Sequence, residues 1–201
     1  MAQKAVVTGG AGFIGSHIVD LLVQDGTEVH VVDNYSGGRH ENRINGKATY
    51  RELDVRSTDE LVKVLEGADV VYHTAALPRV PFSIEQPVET SDVNIVGTVS
   101  VLSAAAKAHV RRVVYSSSGS SYGMQETLPL VETMPANPVN PYGLQKYVGE
   151  LFCHIWPEIY GVQTVSLRYF NVYGPRLDPS GPYALAVGAF LLAKKDGRPL
   201  T

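Results

Sequence analysis

The chain has 201 residues, 44% hydrophobic and 18% charged, with a formal net charge of −3. This suits a globular protein with a sizeable core, in one large domain or two small ones, and the lack of a basic surplus argues against nucleic acid or an anionic membrane as the main partner. One cysteine, Cys153, excludes an intramolecular disulfide and fits a reducing compartment, so a cytoplasmic location is expected. The first strand begins almost at the N-terminus, which leaves no room for a signal peptide. The longest apolar run, Ala184 to Ala193, is too short to span a bilayer.

In chain order, residues 4–8 read as a buried strand built on Ala5-Val6-Val7. Residues 13–25 read as a helix ended by Asp25-Gly26. Between them lies Thr8-Gly9-Gly10-Ala11-Gly12-Phe13-Ile14-Gly15, with glycines at 9, 12 and 15. Each glycine has a physical task in a dinucleotide-binding turn. Gly9 permits the turn out of the strand, Gly12 lets a pyrophosphate approach bare backbone, and Gly15 lets the helix pack close on the sheet. The helix N-terminus then offers free N–H groups and a positive dipole end to the phosphates. Spacing alone also fits a structural turn; the flanking strand and helix favour nucleotide binding.

Residues 28–32 form a second strand pattern, with Asp33 at its carboxyl end. A carboxylate there can accept from both ribose hydroxyls and would repel a 2′-phosphate, which favours NAD over NADP. The alternative is an ordinary turn aspartate beside Asn34 and Gly37-Gly38, and Arg39 is a residue that could hold a 2′-phosphate. Residues 48–53 read as a third strand, followed by Asp54-Val55. A helix follows over 57–65, with Ser57 and Glu60 in capping-box spacing. Residues 69–73 read as a fourth strand closed by the small residues Thr74-Ala75-Ala76. His73 reads as a packed strand-end histidine rather than a ligand or base. The scattered histidines and the lone cysteine show no metal-ligand spacing, so no metal is expected.

Residues 78–87 read as a Pro-punctuated loop and 88–108 as one long helix, with Asn94 inside it as a solvated side chain or a functional one. Residues 111–116 form a fifth strand that runs into the serine cluster Ser116–Ser121, with Tyr122-Gly123. Such a cluster is placed for ligands, and it is also turn composition. Residues 124–140 are loop-like. A helix from Pro141 runs to about Trp156, where Pro157 is expected to stop or kink it. A sixth strand spans 162–168, and 183–195 look helical, capped by Lys194-Lys195 and Gly197.

Tyr142 and Lys146 are one helical turn apart and share a face. A free phenol, with a pKa near ~10, is too weak a base at neutral pH. A neighbouring ammonium stabilises the phenolate, and an oxidised nicotinamide would add positive charge. Tyr142 would then act as general base toward a substrate hydroxyl, with Ser118 holding the same oxygen. The pair is common by chance and gains meaning only within an ordered set.

That set is present: Thr8–Gly15, Asp33, Asp54-Val55, His73-Thr74-Ala75-Ala76, Asn94 with Gly97-Thr98, Ser116–Gly123, Tyr142–Lys146 and Arg168-Tyr169-Phe170-Asn171. In this order the motifs resemble the extended short-chain dehydrogenase/reductases, specifically the NAD-dependent nucleotide-sugar epimerase/dehydratase group. The resemblance implies an α/β fold: a Rossmann-like, doubly wound parallel sheet with helices on both faces. It implies NAD as cofactor, bound by Gly9, Gly12, Phe13, Ile14, Gly15, Asp33, Asn34, Tyr35, Ser36, Gly38, Asp54, Val55, Thr74, Ala75, Ala76, Asn94, Ser116, Tyr142, Lys146, Tyr169 and Phe170. Ser118, Tyr142 and Lys146 would be the catalytic trio. Arg79, Ser83, Ser118, Tyr142, Asn171 and Arg176 would contact a nucleotide sugar.

In the group's dehydratases an Asp-Glu pair stands beside the catalytic hydroxyl. Here that place is Ser118-Gly119-Ser120, which disfavours elimination of water and leaves a UDP-hexose 4-epimerase, an isomerase, as the expected activity. A UDP-glucuronate decarboxylase and a 4-ketoreductase remain alternatives. The resemblance also implies a homodimer through a four-helix bundle of helices 88–108 and 141–156. Residues 1–175 would be the NAD-binding domain and 176–201 the start of a substrate-binding domain that is largely missing. A cofactor-binding module without turnover is therefore a further reading.

Overall fold

A computed structural model describes residues 4–178 and 186–199. The chain divides into two compact units between Tyr169 and Phe170. The first unit holds six strands: β1 (Lys4–Thr8), β2 (Glu28–Asp33), β3 (Thr49–Glu52), β4 (Val70–His73), β5 (Arg112–Ser118) and β6 (Gln163–Tyr169). All pair in parallel, in the order β3-β2-β1-β4-β5-β6. The order reverses between β1 and β4, and ligands of such sheets bind in the crevice at that switch point, beyond the carboxyl strand ends.

The strands form because their side chains are buried on both faces. Val6 and Val32 enter one core with Val71, Val113 and Tyr115. Their neighbours Val7 and Val31 enter another with Val19 and Val29. Successive strand residues face opposite sides, so two helical layers are needed. α1 (Phe13–Gln24) covers the second core through Val19. α2 (Thr58–Leu65), α5 (Gly97–Lys107) and α6 (Pro141–Tyr160) cover the first through Leu61, Leu65, Val101, Leu102, Cys153 and Trp156. The Trp156 indole N–H donates to the Leu102 carbonyl at 3.0 Å and ties α6 to α5.

Four local expectations are corrected. The loop expected over 78–87 contains a helix, α3 (Val80–Glu85), with Pro81 in its first turn. The single helix expected over 88–108 is α4 (Pro87–Ser91), a π-helical turn (Asp92–Val96) and then α5. Asn94 lies in the π turn, 1% exposed, so its side chain is not solvated. Ser57 precedes α2 without a side-chain cap, and Glu60 instead pairs with Lys63 at 2.5 Å.

The fourth concerns Pro157. The helix runs through it to Tyr160 and ends on Gly161 with φ +74. Pro157 cannot donate to the carbonyl four residues back. That carbonyl, of Cys153, accepts the Thr164 hydroxyl at 2.5 Å instead. A strand side chain supplies the missing donor, and the helix continues.

The second unit contains α7 (Ala186–Lys195), followed by Gly197 with φ +66 as a helix stop. Residues 183–185 of the expected helix lie outside the described residues. Among the described residues no helix is long and apolar enough to cross a membrane.

Candidate active site

The site begins with the glycine turn after β1. Gly9 has φ +71, and a Cβ on it would lie 2.6 Å from the Ala75 backbone nitrogen. A Cβ on Gly15 would lie 2.8 Å from Gly10 Cα and 2.9 Å from the Gly9 carbonyl carbon. These are backbone obstacles, so α1 can sit this close to the turn only through glycine. Gly12 is the N-cap and offers no capping side chain. The first-turn N–H groups of Phe13, Ile14 and Gly15 have no carbonyl one turn earlier in the helix. They form a cradle for an anion, and a dinucleotide pyrophosphate fits it in charge and in approach.

Asp33 lies across this turn. Its carboxylate accepts from the Ala11 N–H at 3.0 Å and the Tyr35 N–H at 2.8 Å, one on each oxygen. Burial pushes its pKa up, and those two bonds pull it partly back. A carboxylate has about four acceptor sites, so two remain for ribose hydroxyls. The adjoining loop is folded on itself: the Asn34 side chain accepts from the Ser36 N–H at 3.1 Å, and the Gly38 N–H donates to Tyr35 at 2.8 Å. Arg39 lies over the Tyr35 ring, 5.2 Å from its centroid, and pairs with Glu41 at 3.3 Å.

Asp54 is bonded to its neighbours on both oxygens. Arg56 donates to it from its backbone N–H and through two guanidinium nitrogens, and Asn34 donates at 3.1 Å. Arg56 holds the carboxyl down at about 2. With four donors on it, Asp54 brackets the loop after β2. Val55 is buried against Gly97, where a Cβ would lie 2.8 Å from it.

The segment after β4 is fastened at both ends. The Thr74 hydroxyl donates to the Thr8 carbonyl at 2.7 Å, and the Ala75 N–H approaches the Thr8 hydroxyl at 3.5 Å. Beyond Ala76, the Asn94 amide accepts from the Leu77 N–H at 2.8 Å and donates to the Leu77 carbonyl at 3.0 Å and to Gln145 at 2.8 Å. Gln145 in turn donates to the hydroxyls of Thr90 and Ser91. Asn94 is thus a clip between the crevice wall and α6, with both amide N–H groups and one acceptor site of its oxygen used. His73 is buried between the Thr8 and Thr98 hydroxyls at 2.7 and 3.1 Å. Burial pushes its pKa to about 3, so it stays neutral.

The expected trio meets at the end of β5. Tyr142 and Lys146 project from α6, buried at 9% and 3% exposure. The Lys146 ammonium donates to the Ser116 carbonyl at 2.8 Å and sits 5.0 Å from the Tyr115 ring centroid. Burial pushes its pKa down to about 8. Tyr142 is pushed up by burial and pulled partly back by a hydrogen bond with Ser118. The expected lowering of the phenol called on Lys146 and a bound nicotinamide together; without the nicotinamide, burial raises the phenol and the Lys146 ammonium is turned to Ser116. Ser118 also accepts the Ser120 N–H at 3.1 Å. Tyr169 is its register partner on β6.

The remaining candidates are scattered. Ser83 is fully buried, accepts the Tyr142 N–H at 3.1 Å and donates to the Val80 carbonyl at 2.7 Å. It braces the first turn of α6. Arg79 is the exposed N-cap of α3, 5.9 Å from the Phe82 ring centroid. Phe170, Asn171 and Arg176 fall in the second unit, the last two with φ of +32 and +69. Ser83's bracing role, Gln145 and Glu150 went unread; the helical spacing of Glu150 from Tyr142 and Lys146 was the available signal. Among the described residues, no group of His, Cys, Asp or Glu could hold a metal ion.

A model of the NAD dependent epimerase/dehydratase family matches residues 5–200. The chain belongs to this family. Within it, the chain is 44% identical over 178 residues to a putative UDP-glucose 4-epimerase of Methanocaldococcus jannaschii, covering 88% of this chain and 58% of that protein. The fold superposes on UDP-glucose 4-epimerase of Thermotoga maritima, solved with UDP-glucose, with a TM-score of 0.92 and 36% identity over 97% of this chain and 64% of that one. It superposes on the UDP-glucose 4-epimerase of Thermus thermophilus, solved with NAD, with a TM-score of 0.88 and 36% identity, covering 98% of this chain and 64% of that one. The chain therefore spans 58–64% of the length of these relatives, less than two thirds. NAD is the family's cofactor, and the glycine cradle with Asp33 is a donor and acceptor set that fits it.

Proposed function

We propose that the chain carries the catalytic half of an NAD-dependent UDP-hexose 4-epimerase, acting on the glucose/galactose pair or their N-acetyl forms. The observation that carries this is the meeting of Ser118, Tyr142 and Lys146 at the carboxyl end of β5, at the same end of the parallel sheet as the glycine turn after β1, with β4 between them. Gly12, Phe13, Ile14 and Gly15 would hold the pyrophosphate, and Asp33 the adenosine ribose. NAD, when bound, supplies a hydride acceptor and a positive charge that favours the phenolate. Tyr142 would then take the proton of the C4 hydroxyl, Ser118 would hold that oxygen, and Lys146 would hold the nicotinamide ribose. Because Tyr142 keeps the proton nearby, it returns it once the 4-keto sugar has turned over. No carboxyl group stands in Ser118-Gly119-Ser120, so the site is not furnished to eliminate water.

Residues 176–201 begin the substrate-binding domain in this reading, and Asn171 and Arg176 would contribute to the nucleotide-sugar site, Asn171 by its contact to the diphosphate. A homodimer is proposed through α6, where Leu144, Leu151, Ile155 and Ile159 form an exposed stripe at helical spacing. The lone buried Cys153 supports a cytoplasmic setting. A second reading is a cofactor module without turnover. An NADH fluorescence titration followed by UDP-galactose turnover separates the two. NADH binding with interconversion, in this chain or in a fusion carrying the relative's remaining residues, supports the epimerase. Binding without turnover in both leaves the module.

A further inference from the structure

Glu150 takes no part in the chemistry above, yet the carriers of the site converge on it. It lies on α6, one turn beyond Lys146 and two beyond Tyr142. Its carboxylate accepts the Ser117 hydroxyl, and Ser117 directly precedes Ser118. It also accepts Arg168 Nε at 2.9 and 3.1 Å and an Arg168 terminal nitrogen at 2.7 Å. Arg168 directly precedes Tyr169. Ser117 pairs in register with Arg168, as Ser118 does with Tyr169. The guanidinium lies 4.2 Å over the Tyr122 ring, and Ser117 approaches the Ser121 hydroxyl at 3.4 Å. One carboxylate therefore joins the ends of β5 and β6 and the turn after β5 to the helix that carries Tyr142.

The pair is not an ordinary surface bridge. The Arg168 and Glu150 side chains are only 18% and 11% exposed. A mostly buried, multiply bonded ion pair constrains geometry more than it adds stability. The neighbouring contact has no slack either: a Cβ on Gly149 would lie 2.9 Å from Tyr115 Cε1. The helix and β5 are held at a fixed distance by Gly149 and at a fixed register by Glu150.

We propose that Glu150, braced by Arg168, is a positioning residue that pulls the end of β5 against α6 through Ser117 and so sets Ser118 within reach of the Tyr142 phenol. This rests on the reading of Ser118, Tyr142 and Lys146 as the site. The test uses the 201-residue chain labelled with carbon-13 at tyrosine Cζ, whose resonance at neutral pH reports whether the phenol is hydrogen-bonded. The Tyr142 signal is assigned by its loss in Tyr142→Phe. In Ser118→Ala the signal moves. In Glu150→Gln it moves the same way by at least half as much, and the double variant moves no further than Ser118→Ala alone, because both changes remove one bond.

Ser117→Ala cuts the same link while leaving the ion pair intact, and it shows the same displacement even where Glu150→Gln fails to fold. An unmoved Tyr142 signal in Ser117→Ala, or displacements that add to that of Ser118→Ala, overturns the proposal. No cofactor or sugar is present in this measurement. Failure of the epimerase reading shows in turnover, and failure of the Glu150 clamp shows here.

Discussion

Replacing Gly15 with alanine tests the cradle at its tightest point. A Cβ at residue 15 would meet Gly10 Cα at 2.8 Å and the Gly9 carbonyl carbon at 2.9 Å, where ordinary contact begins at 3.4 Å. These neighbours are backbone and cannot rotate away, so α1 must retreat by about half an ångström or more. Overpacking of this kind costs about 1–3 kcal/mol. Alanine recovers about 1 kcal/mol over glycine within a helix. The net loss of stability is about 1 kcal/mol, a fall of a few degrees in Tm for a chain of this size.

Binding suffers more. The N–H groups of Phe13, Ile14 and Gly15 move with the helix, and a hydrogen bond to a charged group is worth about 1.5–3 kcal/mol. Loss of the equivalent of one such bond weakens NADH about tenfold or more. The assay is an NADH fluorescence titration with a urea melt on the parent, Gly15→Ala and Gly46→Ala. Gly46 has nothing within 4 Å of its would-be Cβ and serves as control. NADH affinity within twofold of the parent in Gly15→Ala, or an equal loss in Gly46→Ala, would refute the reasoning.

Lys146→Met should stabilise the protein at neutral pH. The fold lowers the Lys146 pKa from 10.5 to about 8, so the folded state holds this proton less tightly than the unfolded chain does. The resulting penalty is full below pH 8 and is relieved as pH rises toward 10.5. Less the cost of leaving the Ser116 carbonyl without this donor, the gain is up to about 2 kcal/mol at pH 7, and it shrinks by about 2 kcal/mol between pH 7 and pH 9.5, checked by urea melts at both. Asp33→Asn should weaken NADH about tenfold and narrow its advantage over NADPH, read by paired titrations, because one oxygen and its charge are lost where Ala11 and Tyr35 donate. Glutamates at both Leu151 and Ile155 should shift a dimer to monomer in sedimentation velocity, since they place charge in the exposed stripe of α6.

Much of the sheet was readable because its strands are short apolar runs buried on both faces, as at Val6-Val7 and Val31-Val32. The glycine turn was readable because its constraint is local: the obstacles to a Cβ on Gly15 are Gly9 and Gly10. Tyr142 and Lys146 were readable as neighbours because helical spacing determines which residues share a face. What escaped depends on partners distant in sequence. Pro157 looks like a helix stop until Thr164, on the next strand, is seen to take the orphaned Cys153 carbonyl. Ser83 looks like a loop hydroxyl until Tyr142, 59 residues away, is placed on it. Asn94 looks like a poor helix former until Leu77 and Gln145 hold its amide and the helix adopts a π turn around it. The drop in the Tyr142 pKa was expected from the helical spacing of Lys146 together with a bound nicotinamide. It missed the burial that raises the phenol and the Ser116 carbonyl that draws Lys146 aside.

The central claim is that Tyr142 and Ser118 serve a hydride transfer at sugar C4. UDP-galactose carrying deuterium at C4, incubated with NAD⁺ and the chain or its fusion to the relative's remaining residues, tests it most directly. The account predicts UDP-glucose that retains deuterium at C4, and none from Tyr142→Phe. Product whose C4 deuterium has exchanged with water, or full interconversion by Tyr142→Phe, would contradict it.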